Sequence, residues 1–447
     1  MASMSNNKIR TNRGRACSLS CETDTSHHLI SSSMSQTPLG TPTANGYQNN
    51  VSPSSSFRPI VPHPKWTIGT PESRGFWDDL KTFRWVIVPT SSLRMLLVPI
   101  VLHLQWKYIT PLFIDDPPPS PFGAMLFISH PTPSPTGNPS DARYRKGYLD
   151  LIFIAYHVVF FSFLRQSVIL YLCRPFAQHF GIRKEGKLAR FGEQGYAVVY
   201  FVISGLWGIH IMSQLPTWWY RTDAFWIDYP HWQMKPNLKR YYLMQAAYWC
   251  QQFVVLVLRL EKPRKDYHEL VAHHFVTLWL IGWSYLINLT YIGNAVYISM
   301  DIPDVGLAFC SILNYLQLDR TKVACFVVFM GTWAYFRHYL NIIMLWSVYS
   351  EFDLMPESSK RWAPEDGVWM VWWMKWQIFT PLFLLHCLNL FWFYLILRIL
   401  YRALTQPKVT DIRSDDEDEG AENDGEQEKE SVTFACETGE SDFATID

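Results

Sequence analysis

The fold of this chain is decided by two long apolar stretches with a very short link between them. They read HELVAHHFVTLWLIGWSYLIN at residues 268–288 and YIGNAVYISMDIPDVGLAFCSILNYLQ at residues 291–317. Each is as long as the run of roughly 20 mostly apolar residues that an α-helix needs to cross the ~30 Å hydrocarbon core of a bilayer. Because only residues 289–290 connect the two stretches, we expect a pair of neighbouring, antiparallel membrane-spanning helices.

Similar apolar stretches recur on both sides of this pair. The chain of 447 residues is 49% hydrophobic and 16% aromatic, and its middle is too continuously apolar for an ordinary soluble core. We mark predicted spans at residues 85–106, 148–173, 191–213, 241–260, 268–288, 291–317, 322–348 and 371–401. The first of them is the weakest, because Pro89, Arg94 and Pro99 interrupt it. The predicted fold class is therefore all-α, a polytopic integral membrane protein with about eight transmembrane helices.

Two polar tails flank the apolar middle. Residues 1–74 are rich in Ser, Thr, Asn and Pro, and residues 406–447 are strongly acidic, with an unbroken acidic run at 415–419. Neither tail has enough apolar content to offset the entropy lost on ordering, so both are predicted to be disordered. Between them we predict a first transmembrane helix with its lumenal loop, at 75–147, and a catalytic transmembrane domain at 148–405.

Ser414 in the acidic tail is a candidate phosphorylation site. Asp415, Asp416 and Glu417 follow it directly, which is the setting that acidophilic kinases prefer. We predict that Ser414 is phosphorylated in growing cells, and a phosphopeptide map of the tail tests this prediction.

The placement of charge predicts how the chain is oriented. The 39 basic and 39 acidic residues balance, so nothing in the net charge indicates a nucleic-acid partner. An even number of spans places both termini on one side, and the links after the second, fourth and sixth spans are basic, which predicts cytosolic links and cytosolic tails. These basic residues are Arg174, Arg183, Lys184, Lys187, Arg190, Lys262, Arg264, Lys265, Arg320 and Lys322. Arg143, Arg145 and Lys146 oppose the pattern, because they fall on the predicted lumenal side.

Four ionisable residues lie inside the two stretches that open this section. His273 and His274 are adjacent in the fifth predicted span, and Asp301 and Asp304 lie in the sixth. An ionisable group inside a span is costly, so each indicates a function or a buried pair. The aspartates share one helical face at i and i+3, whereas adjacent histidines differ by about 100° around a helix. We expect one site in which the two imidazoles have different roles.

These four residues are compatible with more than one chemistry. An imidazole, whose unperturbed pKa is about 6.5, suits proton transfer near neutral pH. Imidazole and carboxylate are also common metal ligands, but membrane di-iron hydroxylases need several spaced histidine boxes and the spans carry one such pair. Hydrogen-bonded packing is the simplest explanation of a single histidine in a span. For the full set we rank catalysis first.

Further polar residues in the spans are candidates for contact with substrate. Arg337 falls near the middle of the span at 322–348, so it either pairs with Asp301 or Asp304 or lies near the substrate. The candidate substrate-binding residues are Arg337, His338, Asn341, Tyr285 and Gln252.

The stretch at 261–316, with its paired histidines and DxxD spacing, resembles the signature of the ceramide synthases, the longevity-assurance branch of the TLC-domain membrane proteins. The segments QAAYWCQQ at 245–252 and FRHYLN at 336–341 are similar to fungal members in particular, and the resemblance covers roughly residues 75–405. It implies an endoplasmic reticulum membrane enzyme with a TLC-type bundle of six helices around a lipid-binding cavity.

The resemblance also implies substrates and partners. The expected substrates are acyl-CoA and a sphingoid base, either sphinganine or phytosphinganine, and no cofactor or metal is expected. A small single-span regulatory subunit and a homo- or hetero-dimer are the expected protein partners, within membrane lipid. The residues that match the essential histidines and aspartates of the family are His273, His274, Asp301 and Asp304.

This resemblance gives the four residues a specific chemistry. A sphingoid amine is protonated in water and must lose a proton before it attacks a thioester. A neutral imidazole of His273 or His274 can take that proton, or can itself attack the acyl carbonyl first. An aspartate on the other ring nitrogen would fix the tautomer and stabilise the imidazolium. Direct attack by the amine and a ping-pong route through an acyl-histidine therefore both stay open.

Two positions depart from the usual family pattern. Pro303 stands between the aspartates where Ser is usual, and Cys310-Ser311 stands where Ala-Lys is common. A proline inside a helix removes a hydrogen bond and is expected to kink it. The alternative function is therefore a non-catalytic TLC-domain lipid sensor or scaffold, or a divergent resistance paralogue. Loss of a histidine or aspartate from the set would favour this alternative, and none is missing.

Overall fold

The computed structural model describes residues 72–133, 142–261 and 266–405. The predicted acidic tail at 406–447, with Ser414, lies outside these residues, and so does the predicted tail at 1–74 except for its last three residues. The basic residues of the link at 262–265 also lie outside them.

Nearly all regular structure in the described residues is helical. The α-helices are α1 (Phe76–Lys81), α2 (Pro89–Ile109), α3 (Gly123–Leu126), α4 (Leu149–Ser167), α5 (Arg174–His179), α6 (Glu185–Met212), α7 (Pro236–Val257), α8 (Tyr267–Leu286), α9 (Thr290–Tyr315), α10 (Asp319–Trp333), α11 (Asn341–Ser350) and α12 (Met374–Thr405). Single π-helical segments, Val168–Cys173 and Ala334–Leu340, continue α4 into α5 and α10 into α11. Short 3₁₀ turns span Arg84–Val86, Thr110–Leu112, Thr222–Phe225, Phe352–Leu354, Glu357–Ser359 and Pro364–Asp366. Strands β1 (Pro131–Thr132) and β2 (Arg143–Tyr144) pair antiparallel, with Pro131 opposite Tyr144.

A helix lies at each of the eight predicted span positions. Within the described residues, five helical segments are long and apolar enough to cross a membrane, judged by length and composition: Pro89–Leu112, Leu149–His179, Glu185–Met212, Thr290–Tyr315 and Met374–Arg402. Of the other three, α7 contains Lys239 and Arg240, α8 contains Glu269, and α10 ends after 15 residues at the π-helical segment. The all-α polytopic class is therefore confirmed, and the count of eight spans stays a prediction.

The prolines of the first predicted span do not interrupt it. Pro89 is the first residue of α2, where the missing backbone N–H has no helical partner to lose. The helix continues through Arg94 and Pro99 to Ile109, so the span that the sequence marks as the weakest forms one helix from Pro89 onward. In the same way, α9 runs from Thr290 to Tyr315 as one helix with Pro303 inside it.

Helices α8 and α9 form the antiparallel pair that their short link predicts. The chain reverses at Ile287–Leu289, where Asn288 adopts the left-handed region with φ of 63°. Asparagine tolerates this region better than most residues do, and its side-chain Nδ2 donates to the carbonyl of Gly367 at 2.8 Å. Ile287 and Leu289 are buried in an apolar cluster with Trp226 and Met370, so the turn is anchored on the loops around it.

Close packing of α6 against α9 depends on two glycines. A Cβ added at Gly205 would lie 2.7 Å from Cδ1 of Ile302, and one added at Gly208 would lie 2.9 Å from Cγ1 of Ile298. Small residues let helix backbones approach closely inside a membrane. The side chain of Ser204, beside Gly205, is thereby brought to the face of α9 that carries Asp301.

The basic residues on the predicted lumenal side are held by the protein itself. Lys146 donates to the carbonyl of Leu286 at the end of α8, and its Nζ lies 5.8 Å from the ring centroid of Trp232 and 5.7 Å from that of Trp369. The guanidinium of Arg145 lies 5.4 Å from the same Trp232 ring. Burial lowers the pKa of Lys146 to about 8. Lys146 therefore links the segment before α4 to the end of α8, and Arg145 contacts the loop that contains Trp232.

Candidate active site

A cavity lies among α7, α8, α9 and α12. The apolar part of its wall includes Leu280, Ile287, Leu289, Ile292, Val296 and Leu382. Two of the four predicted catalytic residues, His273 and Asp301, belong to the same wall.

The antiparallel course of α8 and α9 gives the cavity two different ends. At a rise of 1.5 Å per residue, His273 lies about 21 Å along α8 from Ile287, and Asp301 lies about 18 Å along α9 from Leu289. Both ionisable residues therefore lie at one end, which we call the ionisable end, and the reversal at Ile287–Leu289 forms the turn end. Apolar side chains such as Val296 line the wall between the two ends.

The paired histidines have different surroundings. His273 is 7% exposed, and its ring meets those of Trp392 and Trp249 edge-on, at 5.2 Å and 5.7 Å between centroids. Its Nδ1 has no hydrogen-bond partner among the described residues. His274 does not line the cavity; its Nδ1 lies 2.8 Å from the carbonyl of Leu270, which can only accept. His274 therefore carries its proton on Nδ1, and His273 is the imidazole next to the cavity.

Asp301 is fully buried and its two oxygens are unlike. Oδ2 accepts from the hydroxyl of Ser204 at 2.6 Å and from Nε2 of Gln245 at 2.7 Å. Oδ1 has no hydrogen-bond partner in the part of the chain that the structure describes. A buried carboxylate oxygen without a donor is costly, so a donor supplied by a bound molecule would be stabilised there.

Asp304 is an ion-pair partner of Arg337. Its Oδ1 accepts from the guanidinium at 2.6 Å, and the same guanidinium donates to the carbonyl of Met300 at 3.0 Å and to Oδ1 of Asn389 at 3.1 Å. The guanidinium also lies 4.2 Å from the ring centroid of Trp333. Of the two pairings considered for Arg337, the structure contains the one with Asp304, so the two aspartates of the DxxD spacing do different things.

The five candidate substrate-binding residues all lie outside the cavity wall: Arg337, His338, Asn341, Tyr285 and Gln252. The His338 ring faces those of His386 and Phe393, at 5.4 Å and 4.7 Å between centroids. Asn341 is fully buried.

The other two candidates bond to protein groups. The Tyr285 hydroxyl donates to Oδ2 of Asp150 at 2.8 Å, and Gln252 donates to Oε1 of Gln251 at 3.2 Å. Asp150 is itself paired with the buried Lys239 at 2.7 Å. Tyr285 is thus part of a structural ion-pair cluster, and a substrate role for these five residues stays a prediction without geometric support.

Sequence reasoning missed the residues that hold Asp301. Gln245 lies in the fourth predicted span and is 1% exposed, so an amide this deep in an apolar stretch was an available signal. Ser204 gave no comparable signal, because a single serine in a span is common and can bond to its own helix. The described residues contain no group of three or more His, Cys, Asp or Glu side chains that could hold a metal ion.

The fold and the cavity define a class of protein. Long apolar helices and a buried wall with an imidazole, a carboxylate and many apolar side chains describe a helical polytopic membrane protein with a site for an amphipathic molecule. A family profile described as the TLC domain matches residues 190–398, which begin in α6 and end in α12.

Curated relatives narrow the class to one family. The chain is 43% identical over 278 residues to sphingosine N-acyltransferase lac1 of Schizosaccharomyces pombe, covering 62% of this chain and 72% of that relative. It is 42% identical over 287 residues to ceramide synthase LAG1 of Saccharomyces cerevisiae, covering 64% and 69%. Ceramide synthase 4 of Mus musculus is 32% identical over 238 residues, covering 53% and 56%. The chain belongs to the ceramide synthase family of TLC-domain membrane proteins.

Proposed function

We propose that this protein is a ceramide synthase, which transfers a fatty acyl group from acyl-CoA to the amine of a sphingoid base. The product is a dihydroceramide or phytoceramide of sphingolipid biosynthesis. The observation that carries the proposal is the position of His273 and Asp301 at one end of a cavity whose wall is otherwise mainly apolar. Such a wall suits a hydrocarbon chain whose reacting group lies at the ionisable end. The chain that contains this cavity belongs to the ceramide synthase family.

In this reaction His273 is the proposed proton acceptor. The ammonium group of the base first releases one proton to solvent. The free amine then attacks the thioester carbonyl, a C–N bond forms, the C–S bond breaks, and coenzyme A leaves as a thiolate. The proton lost by the amine passes to the imidazole of His273 and can then neutralise the thiolate. General-base catalysis of this kind supplies typically about 10²–10⁴ in rate. The unpartnered Nδ1 of His273 supports this role.

A second route starts with His273 as nucleophile. Its ring nitrogen attacks the thioester, coenzyme A leaves, and the amine then displaces the imidazole from the acyl-histidine. The two routes differ in a covalent intermediate. Incubation with acyl-CoA alone, followed by mass spectrometry of the peptide that contains His273, distinguishes them, because only the second route leaves an acyl adduct on that peptide.

Asp301 is the proposed binding group for the substrate amine. An ammonium group near its open Oδ1 would form a charge-assisted hydrogen bond, which is roughly twice as strong as a neutral one. Asp304 already pairs with Arg337, so it is less able to bind a second cation. His274 and Asp304 are proposed to position the groups beside them, His273 and the α9 backbone, rather than to touch the substrate.

The acyl chain is proposed to extend toward the turn end, which gives a prediction about chain length. Val296 lines the wall about 8 Å along α9 from Asp301. We expect Val296→Phe to shift the products toward shorter acyl chains, because two methylenes that no longer fit cost about 1.6 kcal/mol, or roughly tenfold in kcat/KM. Competition among acyl-CoAs of different length, read by mass spectrometry, measures this ratio.

The matched control for this prediction is Val323→Phe. Val323 lies on α10 with 59% of its surface exposed, so the same chemical change there leaves the cavity unaltered. An unchanged chain-length profile in Val296→Phe, with normal protein levels, would contradict placement of the acyl chain along α9.

The proposed activity is tested directly with the full chain. Membranes that express it are incubated with dihydrosphingosine or phytosphingosine and a panel of acyl-CoAs, and products are read by mass spectrometry. Formation of ceramide above the level of membranes without the protein is the expected result. If well-folded protein forms none with any acyl-CoA, even with a candidate single-span subunit added, the lipid sensor or scaffold function replaces this proposal.

Location and assembly are further parts of the proposal. The endoplasmic reticulum membrane, with both termini cytosolic, is supported by the family and by the basic links after the second, fourth and sixth predicted spans. A single-span subunit and a homo- or hetero-dimer are proposed as partners, and acyl-CoA is proposed as a substrate with no separate cofactor. Protease digestion of sealed microsomes that carry a terminal tag tests the orientation, since cytosolic tails are digested.

A further inference from the structure

Gln245 on α7 makes hydrogen-bond contacts with Asp301 and with three hydroxyl groups around it. Its Nε2 lies 2.7 Å from Oδ2 of Asp301, 2.6 Å from the hydroxyl of Ser204 and 2.9 Å from the hydroxyl of Tyr241. Its Oε1 accepts from the hydroxyl of Tyr200 at 2.5 Å. Every polar atom of this buried amide is therefore used, which fixes the plane of the amide and its position.

The direction of the amide follows from its partners. An ionised carboxylate can only accept hydrogen bonds, so the nitrogen end of Gln245 faces Asp301. Tyr200 occupies the oxygen end, and the Tyr200 ring stacks on Tyr248 at 3.3 Å between centroids, which restrains its hydroxyl. A turned amide would place two acceptors against each other, so this orientation is strongly preferred.

These contacts determine which carboxylate oxygen of Asp301 accepts hydrogen bonds from the protein. Ser204 from α6 and Gln245 from α7 both donate to Oδ2, and neither donates to Oδ1. A carboxylate without these donors could rotate about its Cβ–Cγ bond and exchange its oxygens. With Oδ2 held by two neighbouring helices, Oδ1 stays as the buried, unpaired acceptor on a residue of the cavity wall.

We propose that Gln245, assisted by Ser204, is a positioning residue that holds Asp301 with Oδ1 open to the ammonium group of the sphingoid base. This inference rests on the proposed function, because it takes the sphingoid base as the molecule that enters the cavity. Gln245 acts through Asp301 and does not touch the substrate. It should therefore affect binding of an amine and leave binding of a matched uncharged lipid almost unchanged.

The test compares two ligands on purified full-length protein in detergent micelles. One is a fluorescent sphinganine with its free amine, and the other is the same molecule with the amine acetylated, which removes the positive charge and keeps the chains. We expect Gln245→Leu to raise the Kd of the amine by about tenfold or more, as the loss of a hydrogen bond to a charged group predicts, and the Kd of the amide by less than about twofold. Ser204→Ala should act in the same direction by about threefold or more, since it removes one of the two donors.

The matched control is Gln251→Leu. Gln251 is a fully buried glutamine on the same helix that makes no contact with Asp301, so this variant loses an equally buried amide and should bind both ligands as wild type does. If Gln245→Leu weakens both ligands equally, or weakens neither, the positioning role is overturned. If Gln245→Leu does not fold, Ser204→Ala decides, and an unchanged ratio of amine to amide affinity in that variant overturns the proposal.

This binding test separates the inference from the proposed activity. It requires no turnover, so a wild type that forms no ceramide but shows the expected amine-specific loss in Gln245→Leu would retain the positioning role and lose the enzymatic one. A wild type that forms ceramide but binds amine and amide alike, in every variant, would retain the activity and lose the positioning role.

Discussion

Replacing His273 by alanine is expected to lower the turnover of ceramide formation by about 10²- to 10⁴-fold, the range that loss of a general base usually produces. The physical reason is its place at the ionisable end of the cavity with an Nδ1 that no described residue engages. Without that imidazole, no other described side chain of the cavity wall supplies an acceptor nitrogen near Asp301. Initial rates at saturating acyl-CoA and sphingoid base, normalised to protein level, measure the effect.

The matched control is His157→Ala. His157 lies on α4, and its Nδ1 is 2.8 Å from the carbonyl of Phe153, four residues before it, as Nδ1 of His274 is from Leu270. It lies outside the cavity wall, so its loss should leave the rate within about threefold of wild type unless stability falls. A His273→Ala variant that folds normally and keeps more than a tenth of the wild-type rate would remove His273 from the chemistry.

The sequence predicted the helices and two ionisable residues of the cavity wall because both leave local signals. Runs of apolar residues of membrane length occur at every predicted span, and an adjacent pair of spans with a link this short has few ways to pack other than antiparallel. His273 and Asp301 are costly inside such runs, so their presence alone indicated a site. The antiparallel course then brings residues about equally far from the turn to the same level.

The division of work between Asp301 and Asp304 could not be predicted in this way. The i, i+3 spacing places both carboxylates on one face of α9, but it does not say which helix packs against which carboxylate. In the structure α6 and α7 reach Asp301 through Ser204 and Gln245, whereas Arg337 reaches Asp304. These are tertiary contacts between residues that are 33 to 97 positions apart in the chain.

The candidate substrate-binding residues of the seventh span lie away from the cavity wall for a related reason. Residues Ala334–Leu340 form a π-helical segment, which has more residues per turn than an α-helix and rotates every side chain that follows it. Arg337 consequently faces α9, His338 faces His386 on α12, and Asn341 begins the next helix. A regular 3.6-residue period, the one available from sequence alone, does not apply across this segment.

Removing the positive charge of Arg337 should greatly lower the stability of the folded protein. We expect Arg337→Met to lower the free energy of unfolding by about 3–5 kcal/mol, because the variant leaves Asp304 as an uncompensated charge in a buried site. The ion pair is 2.6 Å long, with side-chain exposures of 4% for Arg337 and 17% for Asp304. Thermal unfolding of purified protein in detergent, followed by loss of the monodisperse species, measures the change.

Two comparisons decide whether the buried charge is the cause. The double variant Arg337→Met with Asp304→Leu removes both charges, and it should recover much of the lost stability, since an apolar replacement of a buried ion pair is often tolerated. Arg361→Met is the exposed control: Arg361 pairs with Asp366 at the same 2.6 Å, but their side chains are 60% and 53% exposed, so its loss should cost less than about 1 kcal/mol. If the single and double variants at Arg337 are equally unstable, lost packing of the guanidinium on Trp333 rather than the unpaired carboxylate accounts for the effect.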